Sequence, residues 1–347
     1  MKKTIAGALL GLLAAVLLAE LLFRLLPVSG ATKTDYYIDP LIATYAPNLF
    51  WRYSSGWDLR NPQQMTTNNY GFVSDHAFSR NASAVALIGD SFVEASSLAA
   101  PDRMAAQLER ALGGQRPVYA MGSAGTALLD YAERVRFAHE VFGIRDFVLV
   151  LERGDLRQSL CGSGNATGQC LNPLTRTVHS QLAPSASALR RLLRESALMQ
   201  YLVSQLKVVP STLLRQAFVR NAPDAPAAKP EPAKPTGQDA GKGMADVEAV
   251  TAAFFERIKS HVAGRLIIVL DADRLALMRH QAIDDPERRH FIELARAAGA
   301  TVVDTEPVFR GHFEHSVLSL DLGPQDGHFN AIGVRLAVTA AAREFTP

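Results

Sequence analysis

A serine, an aspartate and a histidine stand in this chain where a nucleophile and its base are needed. Gly89-Asp90-Ser91-Phe92 closes a short apolar run, Ala84 to Ile88, and precedes a segment of helical spacing from Arg103 to Leu112. A hydroxyl at such a strand-to-helix turn lies among converging backbone N–H groups, which can hold an oxyanion developing on an attacked carbonyl. Near the other end, Asp326-Gly327-His328-Phe329-Asn330 falls immediately before the last helical stretch. An aspartate so close to a histidine can fix the imidazole, and the imidazole can take the serine proton. Taken alone, Ser91 reads as a helix N-cap and His328 as a residue lining the last helix. Taken together with Asp326 they form a nucleophile, a base and an orienter. Gly122-Ser123-Ala124-Gly125 and Arg153-Gly154-Asp155 follow two other short apolar runs.

Placing these residues at one rim requires a parallel sheet. The runs Ala84–Ile88, Pro117–Met121, Asp146–Leu151, Arg265–Leu270 and Thr301–Val303 alternate with helical stretches at 103–112, 127–142, 286–298 and 331–345. Short apolar strands alternating with such helices predict an α/β, three-layer, doubly wound parallel sheet, whose ligands bind beyond the carboxyl ends of the strands. Residues 28–83, rich in aromatic and turn-forming residues, read as an irregular lead-in with a short strand or two. The domain at 84–345 is expected to be interrupted at 185–245. There a helical stretch, Ser185 to Phe218, precedes a Pro- and Ala-rich linker from Asn221 to Lys242.

The pairing of Gly89-Asp90-Ser91-Phe92 with Asp326-x-His328-x-Asn330-x-x-Gly333 resembles the SGNH, or GDSL, hydrolase superfamily. Asn69-Tyr70-Gly71-Phe72 in the lead-in is similar to membrane-anchored bacterial members. The resemblance implies a flavodoxin-like sheet, Ser91 as nucleophile, His328 as base and Asp326 as its partner. It also implies an oxyanion hole from the N–H groups of Ser91 and Gly122. The family's asparagine before the aspartate after the third strand is Gly154 here. That side-chain donor is worth about 2.7–4 kcal/mol where present. The backbone of Gly154, Arg153 or a substrate group would have to stand in, and Gly154→Asn is expected to restore the donor.

Lys2 and Lys3 precede an apolar stretch, Thr4 to Phe23, interrupted only by Glu20 and followed by Arg24. About 1.5 Å per helical residue carries such a run across a bilayer core of roughly 30 Å. Residues 1–27 therefore read as an anchor, with the leading lysines kept inside and the remainder exported. The alternative is a cleaved signal peptide, for which Val28-Ser29-Gly30-Ala31 offers small residues. Either way the body is exported, and an oxidising compartment would join Cys161 to Cys170.

A net charge of +2 and the absence of like-charge blocks argue against nucleic-acid binding. Asp271-Ala272-Asp273 and His312-Phe313-Glu314-His315 have the residue types of metal ligands. Their spacing instead favours solvated or capping roles, so no metal and no cofactor is expected. These readings converge on a single-pass inner-membrane serine esterase facing the periplasm. Its expected substrate is an acyl ester, acetyl by preference, of a carbohydrate or envelope molecule. An O-acyltransferase using the same site, or a weakly catalytic scaffold of an envelope polysaccharide complex, are the alternatives.

Overall fold

The computed structural model describes residues 2–30, 32–163, 168–181, 193–206, 237–324 and 326–346. The chain divides into two compact units, one of Met1–Thr32, Phe50–Met65 and Pro184–Lys234, the other of Lys33–Leu49, Thr66–Ala183 and Pro235–Pro347. In chain order, helix α1 (Lys2–Leu25) lies in the first unit and the hairpin of β1 (Asp35–Asp39) and β2 (Ile42–Thr44) in the second. The hairpin of β3 (Phe50–Ser55) and β4 (Arg60–Thr66) returns to the first as far as Met65.

The second unit then builds its sheet. Strand β5 (Val85–Gly89) is followed by α2 (Ser91–Glu94) and α3 (Met104–Ala111), and β6 (Val118–Gly122) by α4 (Leu128–Phe142). Next come β7 (Asp146–Leu151), α5 (Asp155–Gln158) and a hairpin of β8 (Gly168–Leu171) and β9 (Val178–Gln181). Helix α6 (Ala197–Gln200) belongs to the first unit. The second resumes with α7 (Gly237–Ile258), β10 (Leu266–Leu270), α8 (Arg274–Met278), α9 (Pro286–Ala297), β11 (Thr301–Asp304) and α10 (Thr305–His315). A last hairpin, β12 (Asp321–Gly323) and β13 (Asp326–Phe329), leads into α11 (Ala331–Arg343).

Five strands form one parallel sheet in the order β11-β10-β7-β5-β6, the doubly wound arrangement expected. Successive strand residues point to opposite faces, so each strand feeds two cores. Ala86, Ile88, Met121, Leu149 and Ile268 pack with α4, α7 and α9. Val85, Leu87, Ala120, Val148 and Ile267 pack with α3, α10 and α11 on the other side. The chain order reverses between β5 and β7, and a doubly wound sheet opens its ligand crevice at such a reversal. Ser91 follows β5 directly.

Besides short helices at strand ends, two longer helices lie beyond the helical stretches expected from the sequence. In α7, Val247, Val250, Phe254 and Ile258 recur at helical spacing and are fully buried. The helix begins at Gly237, inside the segment expected to be linker, because this apolar stripe anchors a helix that extends back through polar residues. Helix α10 carries His312 and His315 in its last turn, and His312 Nε2 lies 2.9 Å from the Leu318 carbonyl. The lead-in forms two hairpins and a packed aromatic cluster, with Phe78 stacked 4.4 Å from Tyr119 and Tyr70 edge-on to Phe142 at 4.9 Å. Of the helical stretch expected at 185–218, residues 193–206 are described; its remainder and the linker as far as Thr236 lie outside the described residues. Cys161 and Cys170 are joined in a disulfide with Cα atoms 4.9 Å apart.

Candidate active site

Ser91 is presented by a turn that tolerates almost no side-chain bulk. A Cβ on Gly89 would stand 2.6 Å from Val93 Cγ2 and 3.1 Å from the Val150 carbonyl, so glycine lets α2 fold back against the strand end. Asp90 caps α2, its Oδ1 accepting from the Phe92 N–H at 2.8 Å. Gly122 supports the same turn from the neighbouring strand. A Cβ there would collide with the Glu94 N–H and lie 2.8 Å from Val93 C and 2.9 Å from the Asp90 carbonyl.

His328 reaches Ser91 from a hairpin remote in sequence. Its Nε2 lies 2.8 Å from Ser91 Oγ, and its Nδ1 lies 2.6 Å from Asp326 Oδ1. The same carboxylate oxygen accepts from the His328 backbone N–H at 3.2 Å, which fixes the short β13 segment around the imidazole. Asp326 therefore sets the ring orientation and leaves Nε2 free to accept the serine proton. The hydrogen bond and charge of Asp326 raise the imidazole pKa above its ordinary 6.5, against the opposing effect of burial. Burial pushes the Asp90 carboxyl up to about 6. Two groups beside Ser91 thus have pKa values raised by their surroundings.

Buried arginines that the sequence did not single out hold both halves of this arrangement. Arg134 of α4 is fully buried and donates to the carbonyls of Gly89 at 2.6 Å and Met121 at 3.1 Å, and to Thr126 Oγ1 at 3.1 Å. It thereby ties the ends of β5 and β6 immediately before Asp90 and Gly122. Arg274 of α8 is hydrogen-bonded to Asp271, Asp321 and the Gly327 carbonyl, and its guanidinium lies over the Phe329 ring at 4.5 Å. It pins the His328 hairpin to the end of β10. Glu94, also buried, accepts from Tyr45 Oη at 2.9 Å and from the Ala124 N–H at 3.0 Å, closing the loop after β6. The carbonyls of Gly89, Met121 and Gly327 that these arginines hold leave no mark in residue spacing.

Gly154 lies after β7 at the start of α5. Strands β7 and β6 flank β5, so Gly154 and Gly122 follow the two neighbours of the strand that carries Ser91. A Cβ at 154 would meet Glu152 Oε1 and Gln158 Nε2, the ends of two flexible side chains hydrogen-bonded to each other at 2.5 Å, so an asparagine there requires that pair to shift. Asp155 beneath is wholly buried, accepts from Tyr131 Oη at 3.0 Å, and is pushed well above the ordinary carboxyl range by burial and the nearby Asp90 and Glu152. Asp273, considered at the sequence level for metal, caps α8 and pairs with Arg153 at 2.7 Å.

A cavity of about 460 Å³ opens beside His328, walled by Phe92, Leu275 and the charged side chains of Glu152, Arg153, Asp273 and Arg274. A second cavity of about 640 Å³ shares Glu152, Arg153 and Asp271 with it and extends to Arg157, Met244 and Glu287. The Arg153–Asp273 ion pair lines the first cavity, and Arg153 lines the second as well.

No protein-family model and no curated protein matches the chain. Among solved structures, it is similar to a member of the lipolytic G-D-S-L family from Veillonella parvula, at 12% identity over 76% of this chain and 98% of that one, with a TM-score of 0.39. It is also similar to a lipase/acylhydrolase from Enterococcus faecalis, at 12% identity over 75% and 94% of the two chains, with a TM-score of 0.37. A carbohydrate acetylesterase family member from Sinorhizobium meliloti is similar at 14% identity over 74% and 93%, with a TM-score of 0.34.

With His328 as the expected base, its raised pKa predicts the pH dependence. A base must be neutral, so kcat/KM for an aryl acetate falls as pH drops through the raised imidazole pKa, placing the acid limb above 6.5. Asp326→Asn removes the main cause of that shift, so the limb moves to lower pH while the plateau falls. An unmoved limb would assign it to Asp90. Gly154→Asn is expected to leave turnover unchanged or lower it, because the asparagine must displace the Glu152–Gln158 pair. A gain of about 10²–10³ would show that the two yield and that a donor has been added.

Proposed function

We propose that this chain is an SGNH-like serine esterase, exported and held at the inner membrane by α1. It removes a short acyl group, acetyl in the first instance, from a carbohydrate or other hydroxylated envelope molecule on the periplasmic side. The observation that carries the proposal is the continuous hydrogen-bond chain from Ser91 Oγ through His328 to Asp326 across 237 residues of sequence. In the reaction, His328 Nε2 takes the Ser91 proton as Oγ attacks the ester carbonyl. The tetrahedral oxyanion is held by the N–H groups of Ser91 and Gly122, with Gly154 at the third position. Collapse of that intermediate breaks the bond to the alkoxy oxygen, which receives the proton from His328. Water then repeats the sequence on the acyl-enzyme, releasing the carboxylic acid and restoring Ser91. The chemistry requires no cofactor.

The cavity supports a short acyl group on a polar alcohol. Phe92 and Leu275 offer limited apolar wall, whereas a long hydrocarbon chain would lie against Glu152, Asp273 and Arg274 and desolvate them without a partner. Export is supported by the apolar run Lys3–Leu25, with mean hydropathy 2.4, and by the Cys161–Cys170 disulfide. The second cavity favours one alternative, an O-acyltransferase in which a sugar hydroxyl replaces water as acceptor.

A fluorophosphonate probe should label the chain at Ser91, and Ser91→Ala should abolish labelling and reduce aryl-acetate turnover by at least about a thousandfold. Acetylated oligosaccharides supplied with and without a free sugar acceptor separate the readings: released acetate supports the esterase, and acetyl moved to the acceptor supports the transferase. Folded protein that neither labels nor turns over would support the scaffold.

A further inference from the structure

Within the first unit, Glu20 lies inside the apolar run of α1 yet is fully satisfied. Its carboxylate accepts from Arg24 Nε at 2.8 Å, Ser196 Oγ at 2.7 Å, and the N–H groups of Ala197 at 3.1 Å and Leu198 at 3.0 Å. Three of these donors come from the start of α6. One turn further on, Phe23 stacks on Tyr201 at 4.2 Å, and Tyr201 Oη donates to the Trp57 carbonyl at 2.7 Å. Gln205 completes the link, donating to Ser54 Oγ at 2.8 Å and accepting from the Ser29 N–H at 3.3 Å. The end of α1, the segment 193–206 and the β3–β4 hairpin are thus locked at one level.

That level is set by α1. From Lys3 to Glu20 the helix rises about 26 Å at 1.5 Å per residue, so Glu20 falls near the outer edge of a hydrocarbon core of about 30 Å. Beyond Glu20, Leu21, Leu22 and Leu25 remain 61%, 54% and 82% exposed. The elements fastened to Glu20 and Phe23 also show apolar groups: Trp57 at the hairpin turn is 70% exposed, Val203 48%, Leu193 38% and Leu206 38%. Tryptophan and tyrosine favour this boundary, and interfacial segments sink their apolar residues about 5–10 Å into it.

We infer that residues 193–206 and the Trp57 turn form a collar around the end of α1 that is seated in the headgroup boundary of a phospholipid bilayer. The collar rests on the reading of α1 as a membrane anchor. It makes residues 193–206 a membrane-contacting element, and it supplies Glu20 with donors at a depth where an unpaired carboxylate is costly.

The two tryptophans make the test direct, since Trp51 is buried and Trp57 is exposed. The full chain carrying Trp51→Phe is reconstituted in phosphatidylcholine vesicles that contain lipid with a nitroxide either at the headgroup or near the acyl-chain terminus. The collar requires blue-shifted Trp57 emission, strongly quenched by the headgroup nitroxide and weakly by the deep one. The converse variant, Trp57→Phe, should lose most of the quenching seen in the unaltered chain, which keeps the test valid if Trp51→Phe folds poorly. Chain that floats with the vesicles while Trp57 stays unquenched overturns the collar and leaves the anchor standing. Chain that does not float overturns both.

Discussion

The site depends on one buried cation. Arg134 holds the carbonyls of Gly89 and Met121 with a single guanidinium nitrogen and Thr126 with another. Those carbonyls end the adjacent strands β5 and β6, so their separation, and with it the seating of α2 against Gly122, is set by a rigid planar fork. Burying a guanidinium without a direct carboxylate partner is costly. Burial lowers the pKa of Arg134, and Asp130, Tyr131, Asp90 and Glu94 nearby oppose that shift. Arg274 does the corresponding work for the histidine, joining β10 to the β12–β13 hairpin through Asp271, Asp321 and Gly327. The Ser91–His328 hydrogen bond is the distance left between two independently clamped elements.

The negative character of the surroundings follows from the same construction. Asp90, Asp155 and Asp271 are all buried near the strand ends, and burial raises the pKa of each. They serve the backbone: Asp90 caps α2, Asp155 accepts the Glu152 N–H, and Asp271 accepts the Ala272 N–H. Of the carboxylates near the imidazole, Asp326 raises the His328 pKa most, and Asp90 and Glu94 add to it.

What was legible in the sequence was whatever repeats locally. The strands read as apolar runs because a parallel sheet covered on both faces buries most of their residues, and five such runs mark the architecture. The juxtaposition of Ser91, Asp326 and His328 was legible because a doubly wound sheet gathers residues that follow its strands at one rim. Arg134 was not, since within Tyr131-Ala132-Glu133-Arg134 it reads as a solvated helix residue and its partners are carbonyls of other elements. Helix α7 was missed because its apolar stripe, from Val247 to Ile258, follows directly on a stretch dominated by proline and alanine. Gly122 shows a further limit: the sequence suggests a donor at this position, while the structure reveals the close approach of α2 that makes a side chain intolerable there.

The central claim is that Ser91, deprotonated by His328, becomes covalently acylated. It is tested most directly by quenching turnover of an aryl ester with acid during the first catalytic cycle and locating the added acyl mass in the digested chain. The account predicts an acyl group on the peptide containing Ser91, formed as fast as the phenol is released and absent from the His328→Ala variant. Steady release of phenol with no acylated peptide, or acyl mass on another residue, would contradict it.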